Sequence, residues 1–300
     1  MVRGRFAPSP TGPLHFGSLI AAMASYADAK ARGGRWLLRI EDVDAPRARP
    51  DSEAAILATL VRYGFAWDGG VVRQSERTSR YAAALASLVA RDLAYPCACS
   101  RRELAASAPP GPLGERVYPG TCARGAPPDR AARKARAWRV RVAGARVGFV
   151  DRVQGAQAQE LGHDVGDFVV QRADGLYAYQ MAVVVDDADA GISHVVRGAD
   201  LLASTPRQIH LQRLLSLNEP AYLHVPVAIN AAGEKLSKQT RATELPDAPL
   251  AALRAAWSFL DQPVPDAAPR TASEFWAFAL RAWTPRRIPP VAMLPAPPGV

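Results

Sequence analysis

The feature that most constrains this chain lies in its first 42 residues. Arg5-Phe6-Ala7 ends a short apolar run, and Pro8-Ser9-Pro10-Thr11-Gly12-Pro13 breaks it. Residues 19–31 are alanine-rich and carry Leu19, Met23 and Tyr26 at helical spacing, until Gly33-Gly34 stops them. Trp36-Leu37-Leu38-Arg39-Ile40 then reads as a buried strand that runs into Glu41-Asp42. Strand, loop, helix, strand is a βαβ unit, the seed of a parallel nucleotide-binding sheet.

Further along, the patterns predict helices over 52–63, 79–91 and 205–217. They predict strands over 138–142, 147–150, 177–185 and 194–196. The character of the chain changes at Pro96-Cys97, and a Pro/Gly-rich loop follows between Ser107 and Gly114. Four regions result. They are 1–96, the first half of a catalytic domain; 97–175, an inserted domain; 176–240, the second half; and 241–300, a short helical remainder. The last region ends in a tail with six prolines between Pro285 and Pro298, expected to be poorly ordered.

The net charge of +9 favours a polyanionic partner, and the segment 116–141 concentrates eight Arg or Lys residues against one Asp. No stretch approaches the roughly 20 apolar residues of a membrane helix. The N-terminus has no signal-peptide core, and three cysteines do not make a disulfide framework. The expected location is the cytoplasm, and the expected state a monomer.

Two features carry chemistry. Pro10-Thr11-Gly12-Pro13-Leu14-His15-Phe16-Gly17 sits where a strand hands over to a helix, whose free N–H groups and dipole favour a phosphate. His15 is placed to donate to phosphate oxygens, and Gly17 lets a ligand approach the backbone. About 220 residues later comes Gly233-Glu234-Lys235-Leu236-Ser237-Lys238-Gln239. Lys235 and Lys238 form a cationic clamp for charge that builds on a nucleotide's α-phosphate and on departing pyrophosphate. Each feature alone is ordinary turn or surface chemistry. Their pairing on a βαβ background is not.

His15-Phe16-Gly17-Ser18 resembles the HIGH motif of class I aminoacyl-tRNA synthetases. Lys235-Leu236-Ser237-Lys238-Gln239 resembles their KMSKS loop, with Leu236 and Gln239 as departures. The stretch from Arg5 to Gly12, Arg39-Ile40-Glu41-Asp42-Val43-Asp44, and Val196-Arg197-Gly198-Ala199-Asp200 with Ser204-Thr205-Pro206-Arg207-Gln208 resemble the glutamyl branch. The resemblance implies an α/β fold: a Rossmann-like parallel sheet with an inserted zinc-binding domain and a small C-terminal helical part. It implies ATP with Mg²⁺ as cosubstrate, with His15, Gly17 and Lys238 on the nucleotide. It places glutamate against Arg5, Phe6, Ala7, Pro8, Ser9, Glu41, Tyr179 and Arg197. That suits the chemistry, because arginines grip carboxylates in bidentate fashion and an anion answers the ammonium. No metal role falls to Asp42, Asp44, Asp186 or Asp187, and the last two also read as a structural cap or ion pair.

All three cysteines lie within 26 residues, as Cys97-x-Cys99 and Tyr118-x3-Cys122. Three thiolates leave a tetrahedral zinc site one ligand short. On chemistry alone the fourth is Tyr118, Glu115, Glu103 or water. Short glutamyl-synthetase relatives resemble this chain at all four positions, which implies structural zinc on Cys97, Cys99, Tyr118 and Cys122.

Only about 60 residues follow the lysine loop. A separate anticodon-reading domain typically takes about 100–200. With the stretch His15-Phe16-Gly17-Ser18-Leu19-Ile20-Ala21-Ala22 and the cysteine pattern, this length resembles the truncated glutamyl-Q tRNA(Asp) synthetase branch. The resemblance implies activation of L-glutamate without tRNA, then esterification of queuosine in the anticodon of tRNA(Asp). The alternatives are a compact enzyme charging a tRNA 3′ end or another acceptor, a glutamine-specific core, and a non-catalytic adenylate- or RNA-binding module.

Overall fold

The computed structural model describes residues 1–43, 51–112, 114, 116–133, 136–236 and 243–298. The strand Arg3–Phe6 pairs in parallel with Arg35–Ile40, which pairs in parallel with Val72–Arg73. On the other side of Arg3–Phe6 lies His194–Gly198, tied to it by the Ser193 N–H, which donates to the Arg3 carbonyl at 3.0 Å. His194–Gly198 pairs in parallel with Ala221–Val225. The chain thus leaves the first strand in one direction and returns on its other side. Such a switch opens a crevice beyond the carboxyl ends of the strands. Here those ends carry Phe6 and Arg197-Gly198.

The helix Phe16–Lys30 covers the switch, and most of its residues are buried. Small side chains let it lie close to the sheet: a Cβ on Gly4 would stand 3.1 Å from that of Ala29. Gly33, at a φ of +62°, reverses the chain into Arg35–Ile40. The helices Pro249–Phe259 and Ala272–Ala282 pack on the first helix. Trp276 meets Tyr26 edge-on at 4.7 Å, and its indole N–H donates to the Tyr63 carbonyl at 2.8 Å.

Between the two halves of the sheet the chain builds antiparallel structure. Ala137–Val140 pairs with Ala94–Cys97 on one side and Phe168–Gln171 on the other, and Arg146–Asp151 forms a hairpin with Gly155–Glu160. The hairpin turn is anchored to the catalytic sheet. Arg152 donates twice to the fully buried Asp28, at 2.8 and 2.9 Å, and Gln154 donates to the His224 carbonyl at 3.0 Å.

Two expectations are corrected. The apolar run 177–185 is not a strand: Tyr179–Asp189 is a helix. Met181 to Val185 are all buried, and a stretch buried on every face has no period that separates helix from strand. The tail is not structureless. Met293–Pro295 pairs in parallel with Val227–Ile229, because prolines at an edge leave the flanking N–H groups free to bond. Among the described residues, no helix is long and apolar enough to cross a membrane.

Candidate active site

A cavity of about 650 Å³ opens at the switch point. The end of the first strand lines it with Arg5, Phe6, Ala7, Pro8 and Ser9. His15 and Gly17 come from the helix start, Glu41 from the end of the second strand, and Tyr179, Arg197 and Lys235 from the later half. Every predicted amino-acid and nucleotide residue therefore meets in one cavity, save Lys238, which lies outside the described residues, as do Asp44 and Glu115.

His15 is the N-cap of Phe16–Lys30, and its Nδ1 accepts from the Ser18 N–H at 3.4 Å. A nitrogen that accepts there leaves Nε2 as the donor of the neutral ring. A Cβ on Gly17 would lie 3.1 Å from the His15 ring and 3.2 Å from the Leu236 carbonyl. Glycine thus lets the lysine segment cross the helix N-terminus. Lys235 Nζ holds Asp200 at 2.5 Å.

The pocket floor is charged and buried. Arg5 Nε donates to both oxygens of Asp187 at 3.2 Å, and Arg39 reaches Asp187 at 2.6 Å and Glu41 at 3.1 Å. Burial alone would raise the Asp187 carboxyl, but Arg5 and Arg39 overcome it and hold it below the usual range. Asp186 accepts from Gln74, Arg77 and Tyr81 at 2.6–2.8 Å. Asp186 and Asp187 are ion-pair partners, and Asp42 is occupied by the backbone and hydroxyl of Ser75. Glu41 differs. Burial raises its carboxyl, and the attraction of Arg39 does not fully offset this. It is an anion short of positive charge, at a place where an ammonium would supply it.

Arg197 is held at three nitrogens. Nε donates to His224 Nε2 at 3.0 Å, one terminal nitrogen to the Tyr179 hydroxyl at 3.2 Å, and the other to Thr205 Oγ1 at 2.8 Å. His224 Nδ1 in turn meets Asp151 at 2.6 Å. Sequence reading missed His224, Asp151 and Thr205, whereas the ion-pair reading of Asp187 holds, with Arg5 and Arg39 as its partners. A histidine in the apolar strand Ala221–Val225 gives no sign of a carboxylate 73 residues away.

The cysteines form a second site. Cys97, Cys99 and Cys122 place their sulfurs within 4.8 Å of one another. Cys99 and Cys122 are 3.7 Å apart, and the Tyr118 hydroxyl lies 3.3 Å from Cys97 and 3.8 Å from Cys99. A tetrahedral ion with bonds of about 2.3 Å to sulfur and about 2.0 Å to oxygen needs S···S near ~3.8 Å and S···O near ~3.5 Å. The donor set fits zinc. Burial would raise the Cys97 thiol, but Tyr118, the backbone near Cys99 and Arg139 hold it below its ordinary value. Glu103, another candidate ligand, is instead gripped by Arg133 at 2.8 Å.

Part of the basic segment is committed to this region, while Arg116 and Arg133 are exposed. Arg130 donates to Cys99 at 3.2 Å, Arg139 lies 3.8 Å over the Tyr118 ring, and Arg141 pairs with Asp92. Arg124 is exposed.

Comparison with known proteins places these features. A model of the tRNA synthetases class I (E and Q), catalytic domain, matches residues 1–248. The chain belongs to this family. Within it, the chain is 58% identical over 299 residues to the glutamyl-Q tRNA(Asp) synthetase of Dechloromonas aromatica, covering 98% of each chain. It is 52% identical over 294 residues to that of Pseudomonas aeruginosa, covering 97% of each. The fold matches a glutamate tRNA ligase from Elizabethkingia meningosepticum with a TM-score of 0.81 at 23% identity, over 99% of this chain and 67% of that one. The expected class I α/β fold is borne out.

Proposed function

We propose that this chain activates L-glutamate with ATP and transfers it to queuosine in the anticodon of tRNA(Asp). The observation that carries the reading is the single cavity joining a helix N-terminus, with His15 and Gly17, to a charged pocket of Arg5, Glu41, Tyr179 and Arg197. The relatives that match nearly end to end carry the same activity in their names.

In the first step an oxygen of the glutamate α-carboxylate attacks the α-phosphorus of ATP. The bond to the bridging oxygen breaks, and pyrophosphate leaves. No protein nucleophile is required; positioning and charge carry the rate. Arg5 and Arg197 meet the carboxylates, Glu41 the ammonium, and the Tyr179 hydroxyl adds a hydrogen bond. His15 and the backbone at Gly17 receive the phosphates, and Lys235 and Lys238 meet the developing charge. Mg²⁺ bound with ATP would offset the charge of the triphosphate. In the second step a hydroxyl of the queuosine diol attacks the acyl carbon and loses its proton, and AMP leaves.

Zinc on Cys97, Cys99, Tyr118 and Cys122 would tie down an inserted unit spanning 97–175, between catalytic segments 1–96 and 176–240 and a helical remainder over 241–300. We assign the enzyme to the cytoplasm, as a monomer.

The test is transfer of labelled glutamate to tRNA from cells with and without queuosine. Label confined to queuosine-containing tRNA(Asp) is the expected result. Label independent of queuosine would move the acceptor to a tRNA 3′ end.

A further inference from the structure

We propose that Asp151 and His224 are positioning residues that aim Arg197 at glutamate without neutralising it; the proposal rests on the reading of Arg197 as a glutamate ligand. The two pocket arginines are held in different ways. Arg5 is paired directly with the carboxylate of Asp187. Among the described residues, Arg197 has no carboxylate partner; its Nε donates to an imidazole.

The partners fix the state of that imidazole. Arginine only donates and an ionised carboxylate only accepts. His224 must therefore accept at Nε2 and donate at Nδ1, as a neutral ring. Asp151 is locked in turn, accepting the backbone N–H groups of Val153 at 3.0 Å and Gln154 at 2.8 Å, and that of His224 at 3.2 Å. Asp151, His224 and Thr205 are all at most 2% exposed, so water does not stand in for any of them.

The consequence is electrostatic. A carboxylate set directly against Arg197 would cancel much of its pull on a substrate carboxylate at the same site. A neutral ring fixes the guanidinium plane and leaves its charge for the ligand. Three of the five N–H groups are engaged, by His224, Tyr179 and Thr205, which leaves two for a carboxylate. Asp151 ends the hairpin strand Arg146–Asp151, so the antiparallel region between the sheet halves helps to set the glutamate pocket.

The experiment is glutamate-dependent ATP–pyrophosphate exchange by the full chain, with KM for glutamate and for ATP measured separately and folding followed by thermal melting. In His224→Ala and Asp151→Ala the KM for glutamate should rise about tenfold or more, the scale of misaiming a buried charged donor. The KM for ATP should stay within about twofold. Asp151→Asn keeps the size of the side chain. With its oxygen on the three backbone N–H groups, however, its amide NH₂ faces Nδ1 and reverses the tautomer, so it should lose about as much as Asp151→Ala. Should His224→Ala fail to fold, the Asp151→Ala and Asp151→Asn pair decides. An unchanged KM for glutamate, or a fall in kcat with both KM values unaltered, overturns the proposal. A wild-type chain with no glutamate-dependent exchange would instead overturn the activation reading itself.

Discussion

The guanidinium of Arg5 and the carboxylate of Asp187 face each other at 3.2 Å, and both are largely buried. Arg39 shares the same carboxylate at 2.6 Å. Asp187 is thus shared by two buried cations, of which Arg39 also reaches Glu41 at 3.1 Å. Asp187→Ala should cost about 3–5 kcal/mol, the scale of removing one member of a buried ion pair. Urea unfolding of variant and wild type checks this; a loss under about 1 kcal/mol would mean that water or Asp186 takes over the compensation.

Glu41 is raised by burial and lacks a full complement of positive charge. It must be ionised to hold an ammonium. Glutamate affinity should therefore fall as pH drops through its raised pKa, which lies above the ordinary 4.5. Glu41→Gln should raise the KM for glutamate by about 10²-fold and remove that acid limb. A pH profile of exchange in both proteins gives the comparison.

Lys235 is clamped to Asp200 and must exchange that partner for phosphate oxygens. Lys235→Ala should slow activation by about 10²-fold, the scale of losing one transition-state charge contact. Exchange within about threefold of wild type would remove Lys235 from the catalytic set.

Elemental analysis of freshly purified protein should find one zinc per chain. Cys97→Ser should lower that content and expose the backbone around Cys99 and Cys122 to hydrogen exchange, with less effect on the first helix. Protein that is metal-free yet equally protected would end the zinc assignment.

His224 gives a pH signature of stability. Burial first, then Arg197, lower it from 6.5 to about 4, against the opposing pull of Asp151. Its neutral form is the one that folds, so its contribution is full above pH 6.5 and is lost as pH falls toward about 4. The loss amounts to about 3 kcal/mol at most. Asp151, itself held below its ordinary 3.8, adds a loss of the same sign at lower pH. His224→Gln should show a shallower fall in unfolding free energy between pH 7 and 4 than wild type.

The first strand, the breaker loop and the alanine-rich helix were legible because their signals are local. Tyr179 was legible as a site residue, but not its element: Met181 to Val185 are buried on all sides, and only packing chose the helix. The cysteine cluster was legible from spacing, whereas the arginines beside it read as a phosphate-contacting face, although Arg130 and Arg139 turn toward the cluster. Asp151 and His224 were illegible for one reason, as were the partners of Asp187, whose ion-pair role had been read. Each acts through a partner far off in sequence, and a buried polar group shows its purpose only once that partner is found.

The parallel pairing of Met293–Pro295 with Val227–Ile229 also bears on the order of assembly. During synthesis the strand leading to Lys235 emerges well before its neighbour, since the helices Pro249–Phe259 and Ala272–Ala282 must be made first. Until then its edge stands open, a template for unwanted pairing. The last pairing at the nucleotide end of the cavity therefore cannot form until both later helices have been synthesised.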